Sequence, residues 1–203
     1  MTRKEISVLF GLLFSIIISL CSQDIKTAEE IQNNTLRLHI IANSNSAYDQ
    51  QTKLAVRDEI LKMNDILSQS GDNFDSAVQN TNNNLQKIEK QINDYLNNNK
   101  VPYNAVCSVE DFIFDTTQYS GFTLPKGQYT ALTVRLGDAR GKNWWCVLYP
   151  ALCSTSCGEI ALAESSDFIK TDRIMPRFKV VEIYEDIKQK FVQNKTEQYK
   201  NIG

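Results

Sequence analysis

The spacing of hydrophobic positions changes several times along this chain, and each change predicts a different element. Residues 35–41 alternate with a period of two, as expected for a strand that is covered mainly on one side. The covered face would carry Leu36, Leu38 and Ile40. The other face would carry Arg37, His39 and Ile41. A polar loop at residues 43–46 ends this strand.

Two helices are predicted next. Ser46 and Asp49 have the spacing of a helix-capping pair, and the charge of Asp49 would stabilise the first turn. Helical spacing links Val56, Ile60, Met63 and Leu67, and Gly71 breaks the pattern. The apolar stripe of the second helix is Phe74, Val78, Leu85, Ile88, Ile92 and Tyr95. The asparagine-rich run at residues 80–84 predicts a bend, because asparagine is a poor helix former.

A period of two returns in the second half of the chain. The alternating apolar positions are Val101, Tyr103, Ala105, Cys107 and Val109. A turn at residues 124–127 precedes a strand that begins near Tyr129. Its inward residues would be Leu132, Val134 and Leu136. A glycine-bounded reversal at residues 137–143 leads into another strand, and these two strands are predicted to pair as an antiparallel hairpin.

A last helix is predicted near the C-terminus, with Pro176 in its first turn. Its apolar positions are Val180, Tyr184, Ile187 and Phe191. The element order indicates an α+β fold: a mainly antiparallel sheet with two N-terminal helices and a C-terminal helix packed on it. A chain of 203 residues accommodates one such domain, at residues 35–195, followed by a flexible tail at residues 196–203.

The N-terminus differs from the rest of the chain. Arg3 and Lys4 precede an uncharged apolar run from Val8 to Leu20. Such a run suits the core of a signal peptide better than a membrane span of about 20 residues. Residues 1–22 are therefore predicted to be a signal peptide or a short membrane anchor, with export and cleavage favoured. Residues 23–34 are predicted to be a polar tether.

Charge and cysteine content narrow the choice of partners. The net charge of −2 leaves no broad basic surface for nucleic acid, and membrane contact is expected only through the signal peptide or anchor. In an exported protein, Cys107, Cys146, Cys153 and Cys157 are an even set available for disulfides. Two pairings are open: Cys146 with Cys153, and Cys107 with Cys146. No cofactor is predicted.

His39 is the only histidine and the first candidate for chemistry. A catalytic histidine needs a nucleophile and an orienting group, and the chain has no nucleophile elbow, paired metal-binding histidines or phosphate-binding glycine loop. A zinc site with Cys146, Cys153 and Cys157 is another alternative, but their spacing matches no compact zinc pattern. The favoured interpretation is that His39 is structural and that the cysteines form disulfides. No catalytic residue and no metal site are predicted.

The face of the first predicted helix is a second candidate. Asp49, Lys53 and Arg57 recur every four residues and share this face. One interpretation is a solvated face with a weak Asp–Lys pair. The other is that Lys53 and Arg57 need an acidic partner from elsewhere, while Asp49 and Gln50 reach back to hold His39 and Asn43 in a polar network.

Trp144 and Trp145 are adjacent, so in a strand they point to opposite faces. One ring would then pack in the core. The other, beside Tyr149 and Pro150, would be able to anchor a protein interface. Coverage of both rings by loops of the same molecule is an equal alternative.

Three segments together resemble the stage II sporulation protein R family: LRLHIIANSNSAYDQQTKLAVRD at residues 36–58, LPKGQYTAL at 124–132 and GKNWWCVLYPALC at 141–153. The matching positions are Arg37, His39, Asn43, Ser44, Asp49, Lys53, Arg57, Asp58, Trp144, Trp145, Cys146, Pro150 and Cys153. The resemblance says little about the second helix and the region after Cys153. Ala151 stands where family members often have a second proline.

This resemblance implies a binding protein rather than an enzyme: a secreted signal of endospore-forming bacteria, exported from the forespore into the space between the forespore and mother-cell membranes. There it would activate a membrane-embedded aspartic protease of the mother cell, which removes the pro-sequence of the early mother-cell sigma factor. We expect Trp144, Trp145 and the cysteine loop to form or brace the receptor-facing surface. The alternative is a secreted cell-wall hydrolase that uses His39.

Overall fold

The computed structural model describes residues 3–63, 73–119, 122–150 and 175–200. The chain divides into two compact units. Unit 1 is built from residues 1–32, 114–127 and 169–203, and unit 2 from residues 33–113 and 128–168. The single domain expected at residues 35–195 stays a prediction.

Helices and strands are interspersed along the chain. The described helices are α1 (Arg3–Asn33), α2 (Ala47–Lys62), α3 (Phe74–Asn83), α4 (Leu85–Asn98) and α5 (Met175–Lys200). The described strands are β1 (Leu36–Ile41), β2 (Ala105–Phe114), β3 (Thr117–Tyr119), β4 (Phe122–Leu124), β5 (Gly127–Leu136) and β6 (Asn143–Tyr149). β3 and β4 pair as an antiparallel hairpin. The other four strands form one sheet in the order β2-β5-β1-β6.

The strand directions confirm the predicted α+β class. β1 is parallel to β5 and antiparallel to β6. Between β5 and β2, Arg135 donates to Ser108 and Thr130 donates to Asp111. These contacts run in opposite order along the two strands, as in an antiparallel pair. The described sheet is therefore mixed and mostly antiparallel.

β1 occupies an interior position in this sheet, and that position corrects two predictions. The predicted hairpin of β5 with β6 is wrong, because β1 lies between them. The predicted one-sided cover of β1 is also wrong, since both of its faces are buried, including Arg37 and His39. α2 and α4 cover one face of β1, and on the other face the rings of Tyr129, Phe112 and Trp145 lie against Arg37 and His39.

One face of the sheet packs with α2 and α4 in the core of unit 2. Its fully buried side chains include Leu38, Ile40, Val56, Ile60, Ile88, Ile92, Leu132, Val134 and Leu136. All nine are positions that the periodicity predicts. The predicted bend is also confirmed, because α3 and α4 are separated by the non-helical Asn84. Leu67 and Gly71 lie outside the described residues.

In unit 1, α1 continues to Asn33, so most of the segment predicted to be a polar tether is helical. Packing explains this difference: Ala28 and Gln32 are buried, and Gln32 donates to the backbone carbonyl of Lys126 at 3.0 Å. Within the described residues, no helix combines the length and the apolar character needed to cross a membrane.

α5 contains Pro176 in its first turn, as predicted, but its buried residues are not those of the predicted stripe. Val181 and Glu185 are buried, whereas Ile187 and Phe191 are exposed. The prediction of a helix is therefore confirmed, but the predicted buried side is wrong. Apolar spacing in the sequence does not show which side of this helix packs against the rest of unit 1.

Candidate functional site

Asp49 is the centre of a group of polar contacts in unit 2, where β1 leads into α2. We call this group the polar junction; its members are Asn43, Ser44, Asp49, Gln50, Lys53 and Tyr103. The Asp49 backbone N–H donates to the side chain of Ser46, the N-cap residue of α2, at 3.1 Å. Its carboxylate accepts from Ser44 Oγ at 2.5 Å and from Asn43 Nδ2 at 3.0 Å. The predicted capping contact is confirmed, and Asp49 also holds the loop before the helix.

The Tyr103 hydroxyl is the third side-chain donor to the Asp49 carboxylate, at 2.7 Å. Burial alone would raise the pKa of Asp49, but the hydrogen bonds from Ser44, Tyr103 and Asn43 favour the ionised form and lower the pKa to about 2. Burial and the bond to Asp49 raise the pKa of Tyr103 above its usual value. These groups therefore keep fixed donor and acceptor roles at neutral pH, which suits a structural network better than proton transfer.

The loop after β1 is also joined to the loop between β5 and β6. The Arg140 N–H donates to the Asn43 carbonyl at 3.1 Å, and the Gly141 N–H donates to the Ala42 carbonyl at 2.8 Å. A side chain at position 141 would overlap the backbone carbonyl of Ser44, so glycine is required for this close approach. The two loops thus form one fixed surface.

Lys53 connects α2 to the start of β6 and is only 5% exposed. Its ammonium donates to Gln50 Oε1 at 2.7 Å and to the carbonyls of Lys142 at 3.0 Å and Asn143 at 3.4 Å. Burial, together with the charge of Lys142, lowers the pKa of Lys53. Among the described residues no carboxylate forms an ion pair with Lys53, and neutral oxygens take the place of the acidic partner that was expected.

Arg57 and Asp58 lie further along α2. The Arg57 guanidinium pairs with Asp58 at 2.7 Å and lies 4.6 Å from the ring centre of Trp144. Trp144 in turn packs against the core of unit 2. The partner of Arg57 is therefore its neighbour in sequence, and the arginine also makes a cation–π contact.

His39 lies on the sheet face opposite Leu38 and Ile40, in a group of rings that we call the aromatic cluster: His39, Phe112 and Trp145. The His39 ring centre is 3.8 Å from that of Trp145 and 4.7 Å from that of Phe112. Burial is the main reason that the pKa of His39 is lowered from 6.5 to about 4. His39 is 1% exposed and neutral at pH 7, so it does not have the open position that a catalytic base needs.

The structure places His39 on the sheet face away from the core, and Asn143 lies between His39 and the polar junction. The side chain of Asn143 lies 3.2 Å from His39 Nε2, while the backbone carbonyl of Asn143 accepts from Lys53. The expectation that Asp49 holds Asn43 is confirmed. The expectation that Asp49 holds His39 is wrong, because alternation along β1 turns His39 to the other face.

The adjacent tryptophans point to opposite faces, as predicted. Trp144 packs on the core, and Trp145 stacks on His39. Both side chains are half-buried. Arg37 shares the face of His39 and is completely buried, with its guanidinium 5.1 Å from the ring centre of Tyr129. A buried arginine needs such compensation.

The cysteines answer part of the pairing question. Cys107 is a free buried thiol, so the predicted pairing of Cys107 with Cys146 is wrong. Burial raises the pKa of this thiol to about 12. Cys146 is disulfide-bonded, and its partner side chain lies outside the described residues, as do Cys153 and Cys157. Within the described part of the chain no group of three or more metal-ligating side chains is present. Pro150 follows β6 after a cis peptide bond.

Tyr103 and Asn143 are the contributors that the sequence did not single out. Alternation places Tyr103 at an inward position, but nothing near it in sequence indicates a contact with Asp49, which lies 54 positions earlier. Asn143 belongs to a loop in the predicted scheme, and its contact with His39 depends on the pairing of β6 with β1. Either contact could be predicted only if the order of the strands in the sheet were already known.

Comparison with known proteins identifies the family. The model for stage II sporulation protein R matches residues 32–159, more than half of the chain, and that range contains both the polar junction and the aromatic cluster. The stage II sporulation protein R of Bacillus subtilis (strain 168) is 28% identical over 150 residues, covering 71% of this chain and 67% of the relative. No solved structure gives a significant match. The chain belongs to the stage II sporulation protein R family.

Proposed function

We propose that this protein is a secreted signal of sporulation that activates a membrane-embedded aspartic protease of the mother cell. The protease then removes the pro-sequence of the early mother-cell sigma factor. The observation that carries the proposal is the family match over residues 32–159, which contains every described element of unit 2. The protein acts by binding, and no residue of it takes part in the cleavage.

The proposal places the protein in the space between the forespore and mother-cell membranes, after export from the forespore. The support is the N-terminal sequence, in which Arg3 and Lys4 precede the uncharged run from Val8 to Leu20. A disulfide at Cys146 suits an oxidising compartment. Cys153, just beyond the turn at Pro150, is the partner that we favour.

The geometry around His39 supports binding rather than catalysis. Its ring packs against Trp145 and Phe112 instead of lining an open cleft with a nucleophile. The hydrogen bonds of Asp49, by contrast, fix the shape of a loop surface, and a rigid surface lowers the entropy cost of binding a partner. Trp144, Trp145 and the cysteine loop after Pro150 form or brace the surface that meets the protease.

Co-expression in a bacterial host with a periplasm tests this function. Cells carrying the protease and the pro-form of the sigma factor should process the sigma factor only when this protein is also made. A form lacking residues 1–22, which stays in the cytoplasm, and a protease with a substituted catalytic aspartate are the controls. Processing without this protein contradicts the signalling function, and equal processing by the unexported form contradicts the proposed location.

The substitution His39→Phe separates a signal from a hydrolase in the same assay. Phenylalanine keeps a ring in the aromatic cluster, so a binding protein should retain processing, whereas a hydrolase that uses His39 would lose all activity. Trp145→Phe then probes the surface. We expect it to reduce processing while secretion and folding stay normal, and a loss of folding would contradict the interface role of Trp145.

A further inference from the structure

α5 carries a stripe of exposed apolar side chains in unit 1. Ile183, Ile187 and Phe191 are 60%, 50% and 70% exposed. Their four-residue spacing places them on one side of the helix, while Val181 and Glu185 on the other side are buried. Three large apolar residues in a row on the solvent side mark a surface that contacts another apolar phase.

This stripe belongs to a helix that is held firmly within unit 1. Asp186 pairs with Lys126 at 2.7 Å, and the Tyr184 hydroxyl donates to Glu29 of α1 at 3.4 Å. Lys188 lies 3.4 Å from Glu185 and neutralises that buried carboxylate. These contacts fix the rotation of α5 about its axis, so the apolar stripe faces solvent as a consequence of the packing.

α1 adds a second exposed apolar surface to the same unit. The exposed side chains are Val8, Leu9, Phe10, Leu12, Leu13, Phe14 and Ile16. Successive residues of a helix point about 100° apart, so this segment is apolar on all sides. A groove on another protein covers only one side of a helix, whereas lipid is able to surround it. In a chain that keeps residues 1–22 as the predicted short anchor, lipid is therefore the occupant that fits both surfaces of unit 1.

The charge of the two units also differs. Unit 1 contains twelve lysines and arginines against ten aspartates and glutamates, whereas unit 2 contains ten against fourteen. Unit 1 thus has a net charge of +2 and unit 2 of −4. On α5, the exposed Lys179 and Lys190 border one edge of the apolar stripe. Apolar side chains bordered by lysine are typical of helices that lie on anionic membranes.

We propose that α5 is an interfacial helix that lies on an anionic lipid bilayer and inserts Ile183, Ile187 and Phe191 among the lipid headgroups and upper acyl chains. The proposal concerns unit 1 and goes beyond the signalling function, which it neither requires nor supports. It assigns α5 a surface role although α5 lies outside the residues that the family model matches.

A tryptophan probe in the full-length chain tests the contact. The substitution Phe191→Trp reports the environment of the stripe, and Val106→Trp, at a position that is 59% exposed on β2 of unit 2, is the matched control. Vesicles that contain brominated lipid should quench the added emission of Phe191→Trp and shift it to shorter wavelength, and should leave that of Val106→Trp unchanged. Binding to vesicles with anionic lipid should be about tenfold tighter than to neutral vesicles at low salt.

Three results would overturn the proposal. Unquenched emission of Phe191→Trp, in a chain that still floats with the vesicles, means that α1 alone contacts lipid. A shift to shorter wavelength that depends on protein concentration without lipid means that a second copy covers the stripe. Equal vesicle binding by the chain with Ile183→Ser, Ile187→Ser and Phe191→Ser means that the stripe contributes nothing. Val106→Ser is the control for that variant, and circular dichroism checks that both stay folded.

Discussion

The polar junction and the aromatic cluster lie on either side of Asn143, yet they treat charge in opposite ways. In the polar junction, a buried carboxylate stays charged because three side chains donate hydrogen bonds to it. In the aromatic cluster, an imidazole stays neutral because rings surround it. The pKa is lowered in both, to about 2 for Asp49 and to about 4 for His39.

The same direction of shift therefore has two meanings. A lowered pKa shows that the charged form is favoured in an acid and disfavoured in a base. The polar junction depends on hydrogen-bond donors and tolerates little change of side-chain chemistry. The aromatic cluster depends on apolar contact and should accept a ring without nitrogen. Substitutions that remove the hydrogen-bonding group of Asp49 or the ring nitrogens of His39 test this difference.

The largest expected effect is that of Asp49→Ala. It leaves the half-buried donors of Ser44, Asn43 and Tyr103 without their acceptor, so we expect the free energy of unfolding to fall by about 3 kcal/mol. Urea denaturation followed by circular dichroism measures the loss. Asp58→Ala, on the same helix but at a surface ion pair, should change stability by no more than about 0.5 kcal/mol. Similar losses in the two variants would contradict the central role of Asp49.

A comparable effect should appear as a pH dependence that His39 controls. Between pH 6.5 and about 4 the unfolded chain binds a proton that the folded chain does not bind, so stability falls as the pH is lowered through this range. The expected loss from this group is about 3 kcal/mol. His39→Phe should remove it, and unfolding curves at pH 7, 5.5 and 4.5 measure the difference.

The two regions can be told apart on the same pH axis. The contribution of Asp49 is present above pH 3.8 and is lost as the pH falls toward about 2. The stability profiles of the parent chain and of His39→Phe should therefore differ in slope between pH 6.5 and about 4 and run parallel above and below this range. A variant with the same slope as the parent between pH 6.5 and 4 would show that His39 is not held neutral by the fold.

Local sequence signals account for most of the polar junction. The spacing of Ser46 and Asp49 predicts the cap, and the four-residue spacing of Val56 and Ile60 predicts the buried side of α2. These contacts lie within one or two helical turns, where periodicity is informative. The α+β class follows from the order of such local elements.

The aromatic cluster could not be predicted in this way. The contact of His39 with Trp145 exists because β1 pairs with β6, and the chain between them contains three helices and four strands among its described residues. Alternation alone allows a β5–β6 hairpin equally well. The choice between the two pairings is made by the packing of the whole sheet, which no short segment encodes.

The smallest of these effects should come from Lys53, and it separates a structural role from contact with the receptor. Lys53→Met keeps the length of the side chain but removes the ammonium that donates to the carbonyls of Lys142 and Asn143, so we expect a loss of about 2 kcal/mol in the free energy of unfolding. Lys62→Met, at an exposed position of the same helix, should leave stability nearly unchanged. If Lys53→Met instead folds with undiminished stability and fails only in the processing assay, Lys53 contacts the receptor directly. The 5% exposure of Lys53 favours the structural outcome.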